Sequence, residues 1–178
     1  DKPPTFSDID MISDEHKAIF IHIPKTGGTS IASAISPVNE SPVDAFLDAR
    51  ELQALHGRQK WNDYFKFAFV RNPWDRVASC FHYNAGRNWD RYPFSKTPEF
   101  NFWIKEWYAK GARKGFHRFS HSPCIDWISD KRGNITTDFI GRFENLNEDF
   151  KTLCDKIGIE DAKLPHLNKS SKDKHYST

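Results

Sequence analysis

The run Ile19-Phe20-Ile21-His22-Ile23-Pro24-Lys25-Thr26-Gly27-Gly28-Thr29-Ser30-Ile31 admits few folds. A short apolar stretch ends in a proline, two glycines follow, and hydroxyl residues come next. That order reads as a buried strand, a tight turn and the first turn of a helix. It is also the order of an anion cradle. Gly27 and Gly28 let the backbone come close to a ligand. The N–H groups at the start of the helix point toward it, and the helix dipole favours negative charge there. Lys25 adds a mobile cation, and Thr26, Thr29 and Ser30 add hydroxyl donors. The loop is not of the Gly-x-x-x-x-Gly-Lys-Ser/Thr kind, because its lysine precedes the glycines. An ordinary strand-to-helix turn with a chance lysine is the plain alternative to phosphate or sulfate binding. His22 lies inside the strand and reads as a structural histidine rather than a catalytic one.

A chain of 178 residues is expected to form one domain, with residues 1–17 as a loose lead-in and 160–178 as an irregular tail. At this size about 70% of the unfolded surface can be buried, so disulfide or metal staples are not needed. The net charge of +2 hides a basic run from Lys105 to Arg118, and the tail adds Lys163, Lys169, Lys172 and Lys174. Such runs form solvated faces and also suit an anionic polymer. Nucleic acid is not expected as a partner, since no recognition-helix, zinc-finger or RNP pattern is present. Cys80, Cys124 and Cys154 are an odd set, far apart, which favours free thiols in a reducing compartment. No apolar run is long enough to span a membrane. The expected setting is cytoplasmic. Because the chain begins at Asp1 rather than Met, a luminal catalytic domain cut from an N-terminal anchor is the alternative.

Along the chain, a first strand is expected at about 18–23 and its helix at about 28–35, stopping before Pro37. Ser41-Pro42-Val43-Asp44 has the spacing that opens a helix, which would run to about Leu55 and end near Gly57. The other choice is a loop to Asp48, which then caps a helix over 49–55. Phe65–Val70 reads as a second buried strand. Asn72 is a candidate N-cap and Pro73 a first helical residue. Two strand-to-helix units imply a parallel sheet with ligands beyond the carboxyl ends of its strands, where Lys25 and Arg71 both fall. Ser79 lies two turns into the second helix. Phe100, Trp103, Ile104, Trp107 and Tyr108 follow a helical core pattern, with Gly111 as its stop. His117, His121 and Cys124 have a metal-like spacing, but zinc signatures need four paired ligands, so no metal site is assigned. Trp127-Ile128 and Ile135–Arg142 flank a turn and read as a hairpin. A last helix is expected from Glu144 or Asn145 to Gly158.

Three of these stretches together resemble the carbohydrate-type sulfotransferases, which use 3′-phosphoadenosine 5′-phosphosulfate (PAPS). Ile21–Ser30 looks like their 5′-phosphosulfate loop. Phe69–Ser79 looks like their 3′-phosphate element, matching at Arg71 and Ser79. Asp138–Leu146 resembles a third family segment, and Leu164–Ser170 resembles the lead-in to a loop over the cofactor. The resemblance implies an α/β, P-loop-like three-layer fold with a central, mainly parallel sheet flanked by helices. It also implies transfer of a sulfuryl group from PAPS to a hydroxyl of a carbohydrate or other small acceptor, leaving PAP and needing no metal. By analogy Lys25 would neutralise the leaving oxygen, Thr26 to Ser30 would hold the 5′-phosphate, Arg71 and Ser79 would grip the 3′-phosphate, and Lys172 would join the cofactor site. The family's closing C-terminal helix is expected to be absent from a chain that ends at Thr178. The family pattern places a basic histidine three residues before Ala49, where this chain has Phe46. The candidate bases are therefore His56 and Asp48, then Asp44. A non-catalytic PAPS- or PAP-binding module lacking the base is the alternative, and the reversed lysine–glycine order argues against a kinase or NTPase.

Overall fold

Apolar runs interrupted only at Lys66 form the central strands, because a strand covered on both faces needs no polar alternation. In the computed structural model, which describes residues 11–35, 46–85, 99–108, 122–160 and 163–165, the elements follow one another simply. β1 (Ile12–Ser13) and β2 (Ala18–Ile21) precede α1 (Gly28–Ile35) and α2 (Ala49–Asp63). β3 (Phe65–Val70) leads into α3 (Pro73–Ala85), and α4 (Phe100–Trp103) continues as a π-helical stretch, Ile104–Tyr108. α5 (Cys124–Ile128), β4 (Phe139–Arg142), a 3-10 turn at Phe143–Asn145 and α6 (Leu146–Ile157) complete it. The strands form one sheet in the order β1-β2-β3-β4. β2, β3 and β4 run parallel, and β1 runs antiparallel along β2.

Successive strand residues point to opposite faces, so the sheet has two cores. Ala18, Phe20, Phe67 and Phe69 pack with Ile31 and Ala32 of α1 and with Phe150, Leu153 and Ile157 of α6. Ile19, Ile21 and Ala68 pack on the other side with Ala49, Leu52 and Trp61 of α2 and with Trp127 and Ile128 of α5. The sheet is thus the middle of three layers, an α/β fold of the expected kind.

Several boundaries fall where the sequence puts them, and several do not. α1 spans 28–35 and β3 spans 65–70. Asn72 Oδ1 accepts from the amides of Trp74 and Asp75 at 3.0 and 3.4 Å, capping α3. Gly158 closes α6 with a positive φ of 74°. The lead-in is less loose than expected: its last residues form β1, and Met11 O accepts from Phe20 N at 2.7 Å. A two-residue edge strand leaves too short a pattern to read. The helix after Asp48 runs to Asp63, bending at Gly57, whose φ of 80° is non-helical. The hairpin is also corrected. Trp127 and Ile128 are helical, a single bridge joins Ser129 to Ile135, and Phe139–Arg142 pairs with β3 instead. The apolar run fitted either strand partner, and only the tertiary layer arrangement decides between them. Trp103 is fully buried against Phe81 and Phe100, as the core pattern implied.

β4 can lie this close to β3 because Gly141 faces Phe69. A Cβ at Gly141 would sit 2.3 Å from the Phe69 ring. Gly141→Ala should therefore lower unfolding stability by about 1–3 kcal/mol through overpacking. Urea titration followed by circular dichroism measures this as a lower midpoint with an unchanged slope. An unaltered midpoint would mean that the ring moves aside without cost.

Candidate active site

Because β2 and β3 are parallel and in register, whatever follows each strand emerges at one edge of the sheet. After β2 the chain makes the glycine turn. Lys25 has a φ of 67° and Gly27 a φ of 85°. Left-handed residues set among right-handed ones turn successive N–H groups inward, which makes an anion-binding concavity. For lysine this conformation is uncommon and persists only when the surroundings enforce it.

Three side chains do so. Thr26 Oγ1 donates to Ile23 O at 2.8 Å, Arg76 Nε donates to Pro24 O at 3.0 Å, and Arg71 Nη1 donates to Lys25 O at 3.3 Å. Three consecutive carbonyls are thereby held. A trans peptide carries its N–H opposite its C=O, so the amides of Lys25 and Thr26 are aimed away from the arginines. Arg76 is itself buried, and its Nη1 also donates to Ser122 O at 2.8 Å. Arg71 stacks on Phe143, with Cζ 4.1 Å from the ring centroid. Lys25 Nζ rests 4.0 Å from the centroid of the Tyr83 ring.

The third segment, Asp138–Leu146, starts at the amino ends of the strands and reaches this edge with its last residues. Asp138 Oδ2 accepts from Lys66 N at 2.7 Å and pairs with Lys66 Nζ at 2.8 Å. Glu144 Oε1 accepts from Asn72 N at 2.6 Å, tying the turn after β4 to the turn after β3. A Cβ at Gly27 would sit 3.2 Å from both Phe143 and Leu146, so this segment also packs on the cradle.

The structure brings Lys25, Gly27, Gly28, Thr29, Ser30 and Arg71 together, with Ser79 half-buried on α3, one turn before Tyr83. Some of them do other work than expected. The Thr26 hydroxyl is wholly buried and gives its proton to Ile23 O, so it holds the loop rather than facing a ligand. The Ser30 amide turns back to Gly27 O at 3.1 Å. Gly28 is a glycine for an internal reason: a Cβ there would lie 2.0 Å from the His22 ring.

His56 is not at this edge. It stands four residues before Lys60, whose Nζ lies 2.7 Å from an Asp14 carboxylate that also accepts from Tyr64 Oη at 2.6 Å. Asp14 precedes β2 and Tyr64 precedes β3, so this cluster marks the amino ends of the strands. The six residues of β3 separate Tyr64 from Arg71, roughly 23 Å at the usual rise. Helix α2 is longer than expected, so its His56 turn has already travelled toward the far end. Asp48 is on the correct side, as the cap of α2. Its Oδ1 accepts from the Arg50 and Glu51 amides at 2.9 and 3.0 Å, and its Oδ2 from Arg50 Nη2 at 2.6 Å. Phe46 packs against His22, ring centroids 4.8 Å apart. Asp44, His117, His121 and Lys172 lie outside the described residues. Among the described residues no group of His, Cys, Asp and Glu gathers to hold a metal. Arg76, Tyr83 and Phe143 are the contributors that sequence reasoning missed. Arg76 and Tyr83 stand three before and four after Ser79, a helical spacing that could have linked them to it.

Burial governs two titratable groups around the cradle, Cys80 and His22. Cys80 is pushed up to about 11 by burial, although Arg76, Lys25 and Arg71 all act to lower it. His22 is pulled down to about 4, chiefly by burial and then by the charge of Lys25, so it is neutral at pH 7. An unfolded histidine takes its proton near pH 6.5. Between that pH and about 4 the unfolded chain binds more protons, so stability falls as the pH falls through this window. The contribution is of order 3 kcal/mol at neutral pH. Urea unfolding of wild type and His22→Gln at pH 7 and pH 4 should show the stability difference shifting by about that amount, with the wild type losing more. An equal loss in both proteins would exclude a desolvated imidazole.

Comparison with known proteins adds the following. Residues 10–178 match the family model described as the sulfotransferase family. An uncharacterized protein of Archaeoglobus fulgidus is 27% identical over 130 residues, covering 67% of this chain and 88% of its own. Carbohydrate sulfotransferase 10 of Xenopus laevis is 28% identical, covering 84% of this chain and 53% of its own. Carbohydrate sulfotransferase 9 of Homo sapiens is 25% identical, covering 93% of this chain and 44% of its own. The chain thus spans about half the length of the carbohydrate sulfotransferases it matches. No solved structure matches it.

Proposed function

This chain belongs to the sulfotransferase family, and from that premise we propose that it moves a sulfuryl group from PAPS to a hydroxyl of a carbohydrate or other small acceptor. The observation that carries the proposal is the meeting of Lys25 and Arg71 at one sheet edge, the Arg71 guanidinium bonded to the Lys25 carbonyl. The site fits such a donor. It offers an amide-lined loop with a left-handed lysine and glycine, and three cations, Lys25, Arg71 and Arg76, within electrostatic reach of one buried thiol.

PAPS supplies a sulfuryl group on a phosphate that leaves as the group is transferred. The Gly28 and Thr29 amides, at the N-terminus of α1, would hold its 5′-phosphate. Lys25 lies on Tyr83 at the mouth of that loop and would place its ammonium on the oxygen where charge builds. Arg71, stacked on Phe143, would grip the 3′-phosphate together with Ser79. That contact would distinguish PAPS from ATP. Asp48 is the remaining base candidate at the correct edge, its carboxylate oriented by the cap amides and by Arg50. The three cysteines are free, which fits a reducing, cytoplasmic setting. Among the described residues no helix is long and apolar enough to cross a membrane.

Phe46 favours a second reading, a PAPS- or PAP-binding module without turnover, because it fills the place of the family base and packs on the neutral His22. Transfer of label from PAPS to a glycan panel by the wild type would remove that reading. No transfer to any acceptor, with gain on Phe46→His, would establish it. For the catalytic reading, Lys25→Ala should lower the transfer rate by about 10²–10³, the usual loss of a transition-state charge stabiliser.

The cofactor assignment has its own check in a thermal-shift titration with adenosine 3′,5′-bisphosphate and ADP. At a hundred times its dissociation constant a ligand stabilises the fold by roughly 2.7 kcal/mol. The bisphosphate alone should shift the wild type, and Arg71→Ala should abolish the shift. Equal shifts by ADP would mean that Arg71 reads no 3′-phosphate.

A further inference from the structure

The bonds to the Ile23, Pro24 and Lys25 carbonyls fix the Lys25 backbone but leave its side chain to be placed. A lysine carries its ammonium on a flexible four-carbon stem, and confining that stem costs rotamer entropy. Here Lys25 Nζ lies 4.0 Å from the centroid of the Tyr83 ring, inside the roughly 6 Å over which a ring face attracts a cation. Tyr83 is half-buried near the end of α3, the helix Pro73–Ala85.

The same helix holds the loop at a second point. Arg76 stands two turns before Tyr83, so the two side chains leave one face of α3. Arg76 Nε donates to Pro24 O at 3.0 Å. One helix face thus grips the loop by a carbonyl at Pro24 and by the ammonium of the next residue. Ser79 lies between the two, one turn before Tyr83, and Arg71 lies in the turn that leads into the helix. The groups offered to the two ends of a donor are therefore spaced by α3.

An aromatic face is a particular kind of holder. A carboxylate in its place would cancel the charge of Lys25 and compete with an incoming anion. The ring quadrupole attracts the ammonium and leaves it a full cation. A charge stabiliser works best when it stands in place before charge develops, and a displacement of about 1 Å can cost about 10²-fold in rate. A contact of modest strength is enough to select one lysine rotamer from many. We propose that Tyr83 is a positioning residue: its ring holds the Lys25 ammonium at the mouth of the loop, and its hydroxyl takes no part in this. The inference deepens the proposed function and rests on its assignment of Lys25 to the leaving oxygen.

The test begins with NMR of the lysine-labelled protein free of ligand. Protons above a ring face resonate upfield. The Lys25 ε-methylene signal, assigned by its absence from Lys25→Arg, should therefore lie upfield of those of the other lysines. Tyr83→Phe should keep this shift and Tyr83→Leu should abolish it. In transfer of label from saturating PAPS, Tyr83→Leu should lower kcat about three- to thirtyfold, the usual worth of a cation–π contact. Tyr83→Phe, which restores the ring, should recover the loss. An unshifted Lys25 signal in the wild type would overturn the proposal, because the contact would not exist in solution. So would an equal loss of rate in the Phe and Leu variants, which would give the role to the hydroxyl, and so would full turnover by Tyr83→Leu. The wild-type signal needs no change at Tyr83, so it decides even where Tyr83→Leu misfolds. Adenosine 3′,5′-bisphosphate is titrated into the same samples. If it binds and label is transferred while the Lys25 signal is unshifted, the positioning role fails and the sulfotransferase reading stands. If the signal is shifted but neither binding nor transfer occurs, that reading fails and takes the role of Tyr83 with it.

Discussion

Three consecutive carbonyls, those of Ile23, Pro24 and Lys25, are each held by a different side chain, and the site depends on this. The bonds come from the loop itself, from the helix after β3 and from the end of β3. Together they keep Lys25 in a backbone conformation that lysine rarely adopts. Without them the turn would relax, its amides would no longer converge, and the Lys25 side chain would leave from another direction. The geometry that could receive an anion is therefore a product of tertiary contacts as much as of the glycines.

Those contacts also explain why the segment after β4 lies where it does. Glu144 secures the turn that follows β3, Phe143 stacks on Arg71, and Phe143 and Leu146 bear on Gly27. A segment with no reactive group of its own thus sets the position of two that have one. Electrostatics and burial are balanced differently at neighbouring points. Cys80 stays a thiol amid three cations because burial outweighs them, while those cations keep their charge nearer the edge. His22 is neutral for the same reason.

The layered α/β architecture was legible in the sequence because its central strands are apolar runs interrupted only at Lys66 and its helices begin at caps and prolines. Asn72-Pro73 and Gly158 mark their boundaries by backbone chemistry alone, and β3 was legible to the residue. The placement of Phe139–Arg142 was not, since an apolar run carries no record of which strand it joins. Lys25 and Arg71 were legible as residues at strand ends, and the structure sets the Arg71 guanidinium on the Lys25 carbonyl. Thr26 and Gly28 could be recognised as loop residues, but not that one faces inward and the other makes room for an imidazole. His56 was misplaced because the helix continues past the bend at Gly57, and a histidine's pKa suits it to a role regardless of where it sits. Arg76 was missed because a buried arginine that bonds to carbonyls about 50 residues away has no local signature.

Two of the three bonds that hold the cradle's carbonyls join residues 46 and 52 positions apart, and the Glu144 bond that secures the neighbouring turn spans 72. None of them can form from a short local segment, and loop closure over such distances must precede any gain from the contact. A nascent chain carrying β2 and α1 would hold the whole glycine motif yet lack the arginines that shape it. A chain extended through β3 would still lack Phe143 and Glu144. The cradle's geometry is therefore completed late in folding, at the docking of β4, and is lost early when that edge opens.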